Sequence, residues 1–89
     1  MRPVYRKSYA VYWSEDGGPT QSGKAELARL HLLFIGSRGA RLAVPRDEIE
    51  SVSYLERHLR IARRDGPDIT IGSLDAPGAL LELRDLAVS

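Results

Sequence analysis

Two histidines, His31 and His58, are the only side chains in this 89-residue sequence that ordinarily titrate near neutrality. A metal site would have to join one of them to a carboxylate such as Glu26 across the fold. Neither H-x-x-x-H nor H-E-x-x-H spacing prepares that arrangement. Nucleophilic catalysis needs an oriented base beside its nucleophile, and no G-x-S-x-G elbow accompanies the serines. Cysteine is absent, which excludes disulfides and thiolate ligands. The acidic pairs Glu15-Asp16 and Asp47-Glu48 fall in turn segments, with nothing flanking them to raise a carboxyl pKa for acid–base work. The sequence therefore leads to a non-enzymatic protein with no cofactor and no metal.

The remaining chemistry is charge. Thirteen Lys and Arg against twelve Asp and Glu leave a net charge of +1, too little for a dedicated nucleic-acid binder. The distribution is uneven: residues 1–44 hold seven basic and three acidic side chains, residues 45–89 six and nine. Lys24, Arg38, Arg41, Arg63 and Arg64 are the candidate contacts for an anionic partner, with Arg60 in the same cluster as the last two. Pairing with nearby Glu56, Asp65 and Asp68 is the competing expectation for that cluster. Gly36-Ser37-Arg38-Gly39 has the spacing of a G-x-x-G nucleic-acid clamp, but such a clamp joins two helices. Here the next residues, Ala40 to Pro45, alternate as a strand, so the glycines read as a hairpin turn.

Strands must position these residues. Ser8–Ser14, Lys24–Leu27, Leu30–Ile35, Ala40–Pro45, Glu48–Glu56, His58–Arg63 and Asp68–Leu74 are short apolar or alternating runs bounded by turn signals such as Glu15-Asp16-Gly17-Gly18-Pro19-Thr20. In the third run Leu32 and Phe34 share one side, Leu33 and Ile35 the other, so both faces need cover. Leu59 and Ile61 should lie against Ile71 and Ile69, which fixes register. The period changes only after Leu74. Asp75 as N-cap, Pro77 in the first turn and Leu80, Leu83, Leu86 and Ala87 at helical spacing predict an amphipathic helix over 75–88, with Glu82 and Asp85 outside. The expected fold is mainly β: a seven-stranded antiparallel partly open barrel of two packed sheets, capped by one C-terminal helix. Length allows a single domain over residues 1–89, with 1–7 a loosely ordered lead-in. A five-stranded SH3-like or Sm-like barrel is the competing fold.

The stretch Gly23-Lys24-Ala25-Glu26-Leu27 through Leu32-Leu33-Phe34, Leu42 to Pro45, then Ile49 with Val52, resembles the GRAM-like and bacterial branch of the pleckstrin-homology (PH) superfold. Two positions depart from its pattern: Ala28-Arg29 stands where many members have Thr-Asn, and Trp13 sits on the first strand while the C-terminal helix has no Trp. The resemblance implies lipid binding first. Phosphoinositide-binding members carry two basic residues early in strand two, where this chain matches only Lys24 and has Glu26 second. Glu15, Asp16 and Glu26 would repel a polyanionic headgroup, which disfavours specific phosphoinositide recognition. What the resemblance implies instead is an interaction or scaffold module for a protein or peptide partner, or for self-association into a homo-oligomer. Leu33 and Ile35 are the candidate assembly surface. Peripheral contact with anionic membrane through the arginine-bearing loops is the alternative, and a small-molecule carrier a further rival. Residues 1–8 lack the apolar core of a signal peptide and no run is long enough to span a bilayer, so a cytoplasmic setting is expected.

Overall fold

The computed structural model describes residues 7–74 and 77–87. Of the lead-in expected over 1–7, residues 1–6 lie outside the described residues, as does the Asp75 N-cap, while Lys7 already belongs to the first strand. The elements are β1 (Lys7–Glu15), β2 (Gln21–Leu27), β3 (His31–Gly36), β4 (Arg41–Pro45), a 3-10 turn (Arg46–Glu48), β5 (Ile49–Leu55), β6 (His58–Arg63), β7 (Ile69–Ser73) and α1 (Pro77–Ala87). Seven strands rule out the five-stranded barrel.

All seven strands are hydrogen-bonded into one antiparallel sheet in the order β4-β3-β2-β1-β7-β6-β5. The chain is therefore not a simple meander. β4 and β5, consecutive in sequence, end up as opposite edges, and the ladder continues instead through β1, which pairs with both β2 and β7. Nine residues give β1 the length to serve two partners. The sheet curls, because α1 packs against β2 on one side of β1 and against β5, β6 and β7 on the other. The result is a half-barrel with the helix on its concave face.

Alternation decides what fills that concave face. Val11 and Trp13, Leu32 and Phe34, Leu59 and Ile61, and Ile69 and Ile71 are all buried there. The register sets Leu59 against Ile71 and Ile61 against Ile69, as the pattern requires. Trp13 and Phe34 meet with ring centroids 5.2 Å apart. From the helix, Leu80 and Leu83 are sealed and Leu86 packs at the margin. Burying the two leucines alone contributes about 3–6 kcal/mol. Leu81 stays exposed, so the apolar face of the helix is narrow.

Glu82 is exposed, as expected, and also ties the helix down. It accepts a 2.8 Å hydrogen bond from the Tyr9 hydroxyl and lies 3.6 Å from the Lys7 ammonium, pinning the helix to β1. Burial of Tyr9, then the hydrogen bond and charge of Glu82, push the phenol up to about 12. At the other end Arg46 donates to the Leu86 carbonyl at 2.7 Å, satisfying a group the helix terminus leaves open.

Candidate functional site

The two histidines do not meet, one lying on β3 and the other on β6. His31 lies opposite Pro45 in the β3–β4 ladder. His58 is committed on both ring nitrogens: Nδ1 is 2.9 Å from the Glu56 carbonyl and Nε2 is 3.0 Å from the Tyr12 hydroxyl. A carbonyl only accepts, so Nδ1 carries a hydrogen, and in the neutral ring Nε2 accepts from the Tyr12 hydroxyl. Gly72 makes this reach feasible. It lies between Tyr12 and His58 in the β1-β7-β6 row, and a Cβ there would collide with the Tyr12 ring. The array braces the β5–β6 turn, where Glu56 and Arg57 both take positive φ (54° and 66°) without the relief of glycine. Its groups are spent on structure. Among the described residues no three His, Asp or Glu side chains gather as a metal site.

The basic candidates divide in two. Arg63 is not free for an anionic partner: its side chain is only 7% exposed, donating to Glu15 at 2.7 Å and to the Pro67 carbonyl at 2.8 Å. Its guanidinium also lies against Gly66, whose φ of +133° and missing Cβ make the room. Arg64 donates to the Asp47 carbonyl at 3.0 Å, and Lys24 lies 3.2 Å from Glu26. Arg60 bridges Asp16 at 2.5 Å and Asp68 at 3.3 Å. The bond to Asp16, then the charge of Asp16, hold it above its ordinary range. Asp68 was foreseeable as a partner from sequence proximity. Glu15 and Asp16 were not, being supplied by the β1–β2 turn from the far side of the chain.

Arg38 and Arg41 remain exposed, with no side-chain partner among the described residues. Arg38 borders a polar cleft of about 480 Å³ between the β1–β2 and β3–β4 turns, lined also by Thr20, Gln21, Ser22 and Ser37. Arg41 belongs to the convex face. There the register sets Lys24, Ile35 and Arg41 in one row, and Glu26, Leu33 and Ala43 in the next. Leu33 and Ile35 are half-buried, flanking a shallow cleft of about 160 Å³ with Arg41, Ala43 and the strands beneath. The structure thus brings together four of the sequence candidates, Lys24, Leu33, Ile35 and Arg41, with Arg38 one turn away.

That cleft opens onto the β4 edge. Gly36 N–H donates to the Ala40 carbonyl and Arg46 N–H to the Leu30 carbonyl, so even-numbered residues on this strand turn their backbone toward β3. The N–H and C=O of Arg41 and Ala43 face away from the sheet. Pro45, the next residue in that series, has no N–H to expose.

The fold is similar to the crystal structure of the C-terminal domain of an unknown protein from Leishmania infantum, with a TM-score of 0.76 over 93% of this chain and 83% of that one. Identity is 16%, so the likeness is one of fold. No family model matches the sequence, and no curated protein does. Among the described residues no helix is long and apolar enough to cross a membrane.

Proposed function

We propose that this chain is a non-catalytic PH-like interaction module that docks an extended segment of a protein partner along the β4 edge. The PH-like reading, with β1–β4 and β5–β7 as two layers packed across one core, draws support from the strand count, the curl and the terminal helix. The docking reading rests on one observation: the outward backbone groups of Arg41 and Ala43 border the apolar cleft of Leu33 and Ile35. An added strand gains affinity from backbone hydrogen bonds and selectivity from side chains entering the cleft beside Ala43. The shortness of β4, with Arg41 and Pro45 on it, restricts which strands the edge accepts. The reading keeps the cytoplasmic setting expected from the sequence.

Selection of extended peptides from a displayed library, repeated with Ala43→Pro, tests this. Proline at 43 removes one outward N–H while leaving the bonds to β3 in place. The expected result is peptides that bind the wild type and lose at least tenfold in affinity on the variant. Peptides that bind both proteins equally would place docking elsewhere.

A second reading, peripheral binding to anionic membrane, has the cleft beside Arg38 in its favour. It expects co-sedimentation with anionic but not neutral vesicles, weakening with salt and lost in Arg38→Glu/Arg41→Glu. Arg63 is no longer part of it, since its guanidinium is buried against Glu15, whereas Arg64 stays exposed with one hydrogen bond to the Asp47 carbonyl.

A further inference from the structure

Among the described residues β4 and β5 each pair on one side only, and the surroundings of these two edges carry opposite charge. Between Gly17 and Arg46 the basic residues are Lys24, Arg29, Arg38, Arg41 and Arg46, against Glu26 alone. Asp47, Glu48 and Glu50 precede or begin β5 and Glu56 follows it. The Glu48 and Glu50 carboxylates have no partner among the described residues. The opposing charges nearby are Arg46 in the same 3-10 turn, donating to the Leu86 carbonyl, Arg57 at the β5–β6 turn, Arg60 abreast of Ser53 but bridging Asp16 and Asp68, and Arg64, which donates to the Asp47 carbonyl.

Deepening the edge-docking reading above, on which it rests, we propose that the partner strand is β5 of a second copy, so that the chain assembles head to tail. The backbone of β5 is open in the required way. A two-residue turn at Glu56-Arg57 makes Leu55 and His58 the closing hydrogen-bonded pair, so Ser53 and Leu55 bond to β6 while Val52 and Tyr54 face outward. In a parallel ladder, a residue pointing toward its neighbour lies abreast of one pointing away. Ala43 therefore sits abreast of Ser53 of the next copy, between its Val52 and Tyr54, and the convex faces of the two sheets run on continuously. That register carries Arg41 to the level of Ser51 and the bulged Glu50, and Arg38 to the level of Glu48. The unpaired bases of one edge thus face the unpaired acids of the other. Such an interface is heterologous: each copy offers one edge and accepts the other.

Sedimentation velocity on the whole chain tests it, over a range of concentration and salt. The average mass of the wild type is expected to rise with concentration and fall with added salt. Arg41→Glu spoils only the β4 edge and Glu50→Arg only the β5 edge, so each alone is expected to stay monomeric. Mixed in equal amounts, the two variants match opposite charges at both kinds of junction, the native pair at one and the reversed pair at the other, and are expected to regain the concentration-dependent assembly that neither shows alone. A wild type that remains monomeric throughout overturns self-assembly. Edge docking itself still stands if displayed peptides lose affinity on Ala43→Pro, and falls with it if they do not. Assembly that persists in both variants, or a mixture that stays monomeric, also overturns the proposal.

Discussion

Arg63→Met is the substitution that separates a structural arginine from a binding one. Methionine keeps an apolar stem of similar reach and removes the guanidinium. The bond to the Pro67 carbonyl is then lost, but that oxygen lies in an exposed loop and can rehydrate, which limits the cost to about 1 kcal/mol. The bond to Glu15 is charge-assisted and would be worth more if both partners were sealed. Glu15 is 41% exposed, so solvent screening reduces that share to about 1 kcal/mol as well. Together these give a destabilisation of about 2 kcal/mol, equivalent to a fall in Tm of about 10 °C for a domain of this size. Urea unfolding should show the midpoint moving with the slope unchanged. A midpoint within about 0.5 kcal/mol of wild type, the range of ordinary surface substitutions, would refute the reasoning and return Arg63 to the set of free surface charges.

Tyr9 should make the fold sensitive to alkali. The folded state holds the phenol proton to about pH 12, whereas an unfolded chain releases it near pH 10. Stability is therefore complete below pH 10 and declines as pH rises through the folded value, by about 1–2 kcal/mol once solvent access to the hydroxyl is allowed for. Urea midpoints at pH 8 and pH 11 should fall farther for wild type than for Tyr9→Phe, and parallel declines would count against this assignment. At Gly72, alanine would drive the Tyr12 ring off His58, sacrificing a hydrogen bond and an edge-on ring contact (centroids 5.9 Å apart). A loss of about 1 kcal/mol is expected, after the better strand propensity of alanine is credited. Tyr12→Phe/Gly72→Ala should lose less than the sum of the two single variants, and simple additivity would mean that the ring does not move.

The sequence carried its strands in a pattern that packing could not reinterpret. Period-two alternation in Leu30–Ile35 and Ala40–Pro45 determined which side chains enter the core, because a one-residue slip would expose all of them. The turn residues set the strand ends to within one residue for every strand except β2, which begins three residues before its expected start. Helical spacing of Leu80, Leu83 and Ala87 placed the buried stripe of α1. Local periodicity is written in neighbouring residues, so it can be read without the fold.

Only the tertiary structure decided which strands are neighbours. The pairing of β1 with β7 joins residues about sixty apart, and no local signal distinguishes it from a β4–β5 hairpin. That choice creates the two free edges and carries the β1–β2 turn to the β6–β7 loop. Arg60 and Arg63 consequently find Asp16 and Glu15, forty-four and forty-eight positions away, and leave the candidate binding set. Arg38 and Arg41 stay in it, since among the described residues the fold brings no carboxylate to them. Type and spacing marked the charges that could act, but whether each is neutralised depends on approach in space, and the curl of the sheet sets that.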